Sequence, residues 1–238
     1  VTRRATAAAT AALLALAVLT GCHSGGGKPH TTTQTVLLER LSAAIAAVNT
    51  SRQHLADDAA AIGLAAARLD DVDAAAVTGD RDAARAARPA AANAVGKAAV
   101  AARRLGKDVT GYDRAVTALA AAGSTGLDAT QQQAVTGVVT AGRAEVRNLR
   151  SYATVIATVW PRYESLDANQ ATWVGRAFNG WYRDRKESAG GYLDLTDHRT
   201  LDATRRELAG ADEARLGAAR RASAAIRTAR GALASLIG

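Results

Sequence analysis

The sequence predicts an all-α protein: a long up-down-up-down four-helix bundle, alanine-rich, with a short helical insertion between the third and fourth long helices. Three observations point there. Alanine, the residue with the highest helix propensity, dominates, while only 4% of residues are aromatic and β-branched runs are scarce. Proline occurs only 3 times, so long stretches carry no interruption. Apolar residues then recur at heptad spacing over four stretches of similar length, and the short breaks between them make neighbours run antiparallel.

The first helix is expected from about residue 35 to 77. Leu41, Val48, Leu55, Ile62 and Leu69 form one heptad line, and Leu38, Ile45, Ala59 and Ala66 fill the alternate slot. Arg52 and Asp73 interrupt that second line, which predicts a seam partly open to water. Thr35 suits an N-cap, and Glu39 complements the dipole of the first turn. Thr78-Gly79-Asp80 breaks the pattern and opens a second helix, in which Pro89 removes one backbone hydrogen bond. Its lines are Val95, Ala102, Val109 and Val116 beside Ala98, Leu105, Tyr112 and Leu119.

Asp128 and Gln131 have capping-box spacing and start a third helix after the Gly123–Gly126 turn. Its lines are Val135, Gly142, Leu149, Ile156 and Tyr163 beside Val139, Val146, Ala153 and Trp160. Pro161 is expected to kink or end it within about a turn. Asp167 and Gln170 repeat the capping-box spacing, which predicts a separate short helix over about 168–186. The fourth long helix runs from about Asp197 to the end, with Leu201, Leu208, Leu216, Ala219, Ile226, Leu233 and Ile237 as its apolar face.

Ahead of the bundle the composition changes. Arg3 and Arg4 precede an apolar stretch from Ala7 to Leu19, too short to cross a bilayer as a helix, and Leu19-Thr20-Gly21-Cys22 follows. Cys22 is the only cysteine. This stretch resembles the signal and lipobox of bacterial lipoproteins. The resemblance covers the first 22 residues only, and no functional family is recognised for the rest. It implies cleavage after Gly21, a diacylglyceryl group on Cys22, and a place on the extracytoplasmic face of the cell membrane, where two acyl chains hold firmly. The strong preference for Arg over Lys resembles chains of high-GC, actinobacterial type. Residues 1–21 are thus expected as a signal peptide and 22–35, rich in Gly and Thr, as a flexible tether. Residues 36–238 form the bundle, and within it 161–195 is an aromatic-rich insertion.

Two surfaces stand out. In the insertion, Trp173, Phe178, Trp181 and Tyr182 alternate with Arg176 and Arg183, in a chain that elsewhere uses Ala, Val and Leu. Aromatic faces stack on rings and arginine pairs with carboxylates or phosphates, so these residues are candidates for binding a cell-wall polymer or an envelope protein. The competing reading is a plug that closes the end of the bundle. In the last helix, Arg220, Arg221, Arg227 and Arg230 stand in a stretch without acids and are candidates for a membrane surface. The competing reading is an ordinary solvated face with cations near a helix C-terminus.

Other chemistry is poorly represented. His54, Asp57 and Asp58 lie within one turn and offer nitrogen and oxygen ligands, but the Glu-x-x-His pairs of a bundle metal centre are missing, and solvated polar groups explain them. No cofactor is expected. The sequence holds no Gly-x-Ser-x-Gly, His-Glu-x-x-His or Walker loop to support a reaction. The formal charge of +8 favours anionic neighbours, yet an exported, lipidated chain meets no nucleic acid. The expectation is a binding or scaffolding protein of the envelope. A self-assembling spacer and a metal-binding or sensory domain are the alternatives.

Overall fold

The computed structural model describes residues 32–77, 80–175 and 195–234. Among them are four long helices and no strand: α1 (Thr32–Val77), α2 (Arg81–Ala121), α3 (Ala129–Gly175) and α4 (Leu195–Ala234). At 1.5 Å per residue these are rods of about 60–70 Å. Packing follows the order of the chain: α1 lies on α2, α2 on α3 and α3 on α4, while α1 and α4 approach each other at few points. The cross-links fix the directions. Arg104 bonds Asp58, Arg150 bonds Asp113, Arg162 bonds Glu207 and Arg205 bonds Asp70, so each helix runs antiparallel to its neighbour. The start of α1, the α2–α3 turn and the end of α4 therefore share one end of the bundle. The ends of α1 and α3 lie at the other.

Capping explains two of the helix starts. The Asp80 side chain accepts from the Ala83 N–H at 2.9 Å. Asp128 and Gln131 bond each other's backbone N–H groups, both at 2.9 Å, as their spacing predicts. In the turn between α2 and α3, Gly123 and Gly126 take φ of 80° and 95°, a region that only glycine enters freely.

The heptad lines of the first three helices point inward as expected. Leu41, Val48, Leu55, Ile62 and Leu69 of α1 are all buried, as are Leu105, Val109, Tyr112, Val116 and Leu119 of α2 and Val135, Val146, Leu149, Ile156 and Tyr163 of α3. Buried alanines, among them Ala59, Ala65, Ala91, Ala94 and Ala98, line α1 and α2, and small side chains let helix axes approach towards the low end of about 8–10 Å.

Four expectations are corrected. First, α1 begins at Thr32, so Thr35 sits inside its first turn rather than capping it. Second, α3 neither ends at Pro161 nor gives way to a new helix at Asp167; it continues to Gly175. Pro161 is exposed, as is Ala157 four residues earlier, so the carbonyl that loses its N–H partner faces solvent. Buried Val159, Trp160 and Tyr163 hold the helix on both sides of it. The part of the insertion beyond 175 lies outside the described residues. Third, α4 keeps Leu208, Ile226 and Leu233 inward as expected, but Leu216 and Ala219 give way to Arg215, Ala218 and Ala222. Its inward line is Thr204, Leu208, Arg215, Ala218, Ala222, Ile226, Ala229 and Leu233, and Leu216 is 38% exposed. Fourth, the slots of Arg52 and Asp73 do not open the seam to water; both residues are drawn inside.

Candidate functional site

Charged groups inside a bundle of alanine and valine are the least expected feature of this structure, and they are arranged in three layers, each beside a buried tyrosine. The layer nearest the start of α1 centres on Arg52. Its side chain is 12% exposed, and its Nε donates to Glu145 Oε2 of α3 at 2.7 Å. Arg52 Nη2 donates to the carbonyl of Ala219 at 2.8 Å and to Ser223 Oγ at 2.9 Å, both on α4. Tyr112 Oη of α2 donates to the same Glu145 oxygen at 2.6 Å. All four helices meet in this one network. The small residues of α4 here, Ala218, Ala219, Ala222 and Ser223, leave room for a guanidinium to reach the backbone. Burial first, then the Glu145 charge, pushes the Tyr112 hydroxyl far above its ordinary value. It stays a neutral donor.

The middle layer holds Asp58, which is fully buried. Arg104 of α2 donates to Asp58 Oδ1, through Nε at 2.6 Å and also through Nη2. Asp58 Oδ2 has no conventional hydrogen bond among the described residues. Asp108, which also pairs with Arg104, stands beside it: burial first, then the neighbouring Asp58, raises its carboxyl above the ordinary carboxylate value. A carboxyl raised in the fold binds a proton there before the unfolded chain does. Stability therefore falls as pH climbs from the ordinary value through the raised one. Asp108→Asn removes that loss. The variant is expected to melt above the parent at neutral pH and level with it in acid, as read by thermal melts across pH. Across the layer, the Arg215 guanidinium lies 5.3 Å over the Tyr152 ring and pairs with Asp212 at 2.5 Å. Burial is again the main cause of the raised Tyr152 hydroxyl.

The third layer joins α4 back to α1. Arg205 reaches Asp70 at 2.6 Å and Asp73 at 3.4 Å. Beside it Tyr163 is pushed up to about 12 by burial and by Asp70. Arg52 and Arg205 thus bridge the α1–α4 seam, where the two helices approach at few points. The Arg52–Glu145 pair is largely buried, and such a pair fixes which helices meet and in what register, at a desolvation cost that apolar residues would avoid. Arg205 and Asp70 are partly exposed, with Asp73 buried beside them. Most charged groups of the three layers are engaged across helices, but Asp58 Oδ2 and the Tyr163 hydroxyl are buried with no hydrogen-bond partner among the described residues.

The sequence candidates fall as follows. Trp173 lies on the backbone of α3, while Arg176, Phe178, Trp181, Tyr182 and Arg183 lie outside the described residues. Of their neighbours, Trp160 and Tyr163 are core, with ring centroids 6.2 Å apart and Trp160 Nε1 donating to Glu164 at 3.0 Å. Arg220, Arg221, Arg227 and Arg230 are all exposed, but they do not form one surface. Arg220 and Arg227 share a stripe one heptad apart, and Arg221 stands about 100° round the helix from Arg220. Arg215 is turned inward. His54, Asp57 and Asp58 are not brought together as a ligand set: His54 and Asp57 are exposed, Gln53 bonds Asp57 at 3.1 Å, and Asp58 faces the core. Among the described residues no three His, Cys, Asp or Glu side chains are placed to hold a metal ion, and no helix is long and apolar enough to cross a membrane.

The residues missed from sequence include Glu145, Arg104, Asp108, Tyr152, Arg205, Asp70 and Ser223. The available signal is charge in heptad slots, where Arg52 and Asp73 already stand. Compared with family models, with curated proteins and with solved structures, the chain matches none.

Proposed function

We propose that this chain is a lipid-anchored, extracytoplasmic helical protein of the cell envelope that binds or scaffolds another envelope component. The observation that carries the reading is the sequence Leu19-Thr20-Gly21-Cys22 after a short apolar stretch, ten residues ahead of a rod-like bundle. Ten residues reach at most about 35 Å. One end of the rod is then tied near the membrane, and the other lies about 70 Å away along the bundle. The end of α3 is remote from the tether, and the aromatic and basic residues of the sequence around it, Trp173 and Arg176, are the candidate contact for a wall polymer or envelope protein.

Expression of the full chain in a bacterium that processes lipoproteins, followed by fractionation, tests the reading in two arms. The protein is expected in the membrane fraction with diacylglyceryl on Cys22, and Cys22→Ala releases it. It is expected to pellet with wall material or cross-link to an envelope protein, and a Trp173→Ala/Arg176→Ala variant with an unchanged melting temperature loses that. An unmodified Cys22, or a double variant that still associates as the parent does, overturns the corresponding arm.

A further inference from the structure

The largest group of free cations among the described residues is on neither of the surfaces singled out from the sequence. On α3, Arg143, Arg147 and Arg150 recur at i, i+4 and i+7, and all are exposed. On α2, Arg103, Lys107 and Arg114 recur at i, i+4 and i+11, and all are exposed. Helical periodicity puts each set on one stripe. The Arg150–Asp113 bridge at 2.7 Å ties α3 to α2 beside Arg114, so the two stripes lie side by side along the α2–α3 face. Of the six cations only Arg150 is paired among the described residues, and the acid among its neighbours on α3, Glu145, is buried on Arg52. Arg104 and Asp108 point the other way, toward α1.

Ordinary causes do not account for this face. Arg143 and Arg147 lie mid-helix, away from the C-terminal turn where cations complement the dipole. Arg103 with Lys107, and Arg143 with Arg147, are like charges four apart, which works against each helix taken alone. Exposed threonines lie along the same stripes, Thr110 and Thr117 on α2 and Thr136, Thr140 and Thr154 on α3. The face is therefore polar and carries no aromatic ring. It offers charge spread over two parallel rods, with no cleft to select a shape.

We propose that the α2–α3 face docks on an anionic lipid surface, with the bundle lying on its side along the membrane. This rests on the reading of the chain as membrane-tethered for its setting, since the stripes occupy the half of the bundle nearer the tether. Anionic headgroups attract each basic residue close to the surface, and the attraction fades within a Debye length, so a flat face that brings several cations down together is favoured. Arg220 and Arg227 of α4 are on the opposite, α1–α4 side of the ring of helices and do not take part.

The test uses the full chain carrying Cys22→Ser, which removes the lipid and leaves the bundle. It is mixed with phosphatidylcholine vesicles with and without phosphatidylglycerol, over a salt series. Binding is expected only with phosphatidylglycerol, and it weakens as salt rises. Each headgroup-facing arginine is worth about fivefold in partition. Arg143→Glu/Arg147→Glu is therefore expected to weaken binding by about 25-fold or more, with helicity unchanged. Arg220→Glu/Arg227→Glu makes the same change of net charge on the opposite side and is expected to have a much smaller effect. Equal losses from both pairs, a larger loss from the α4 pair, or equal binding to neutral vesicles overturns the proposal. So does indifference to vesicles with capture by soluble polyphosphate, which would assign the face to an anionic polymer. None of these outcomes depends on Cys22, so the docking face and the lipid anchor stand or fall separately.

Discussion

Arg52→Ala is expected to lower stability by about 3–5 kcal/mol, the range for removing one partner of a buried ion pair. Glu145 would keep its hydrogen bond from Tyr112 but lose its counter-charge in a site where its side chain is 5% exposed. The Ala219 carbonyl and Ser223 would lose their donor, and the α1–α4 seam would lose one of its two arginine bridges. At about 2–4 °C per kcal/mol for a chain of this size, the melting temperature falls by roughly 10 °C. Arg52→Met with Glu145→Gln is expected to recover most of the loss. It removes both charges together, fills the slot with a flexible apolar chain, and leaves a neutral amide able to accept from Tyr112. Thermal melts of the parent, both single variants and the double variant give the coupling directly. If Arg52→Ala melts within about 1 kcal/mol of the parent, water enters the layer and the seam is held by other contacts.

How far the sequence can be read follows from what periodicity measures. The heptad lines locate the cores of α1, α2 and α3 because an apolar residue every three or four positions has one way to face inward. The same rule finds Leu208, Ile226 and Leu233 of α4 but misreads the stretch around Leu216. Leu216 has the chemistry of a core residue, but the heptad running from Leu208 to Ala222 passes through 215, and the charged Arg215 goes inside, over Tyr152. Pro161 reads as a stop because proline removes a hydrogen bond; that it lies on the solvent side, where the cost is least, cannot be known before the helix is oriented. Arg52 and Asp73 are visible as breaks in a line. Their partners, Glu145 and Arg205, are 93 and 132 residues away, and nothing local connects them. The basic α2–α3 face is hidden for a related reason. Its six cations belong to two stretches of sequence, neither of them free of acids, and only the fold shows that those acids are paired or buried.

Gly142 stands in a line of otherwise apolar core residues, and the fold gives it a reason. A Cβ added there would lie 2.9 Å from Val116 Cγ2, 3.3 Å from Val116 Cγ1 and 3.4 Å from Tyr112 Oη. Val116 is β-branched and on a helix, where one rotamer is strongly preferred, so it cannot swing away. Moving Tyr112 would strain its 2.6 Å hydrogen bond to Glu145 and disturb the Arg52 layer. Gly142→Leu is therefore expected to cost about 3 kcal/mol, at the upper end of overpacking. Gly142→Ala is also expected to destabilise, although alanine gains up to about 1 kcal/mol in helix propensity. Gly137→Ala, on the same helix with nothing within 4 Å of its Cβ, shows that gain without the clash and should melt above the parent. Adding Val116→Ala to Gly142→Ala moves volume across the interface rather than adding it, and should recover part of the loss. If Gly142→Ala instead stabilises as much as Gly137→Ala does, α2 and α3 are not in close contact here. The hydroxyl of Tyr112 then has more freedom than the Arg52 layer requires.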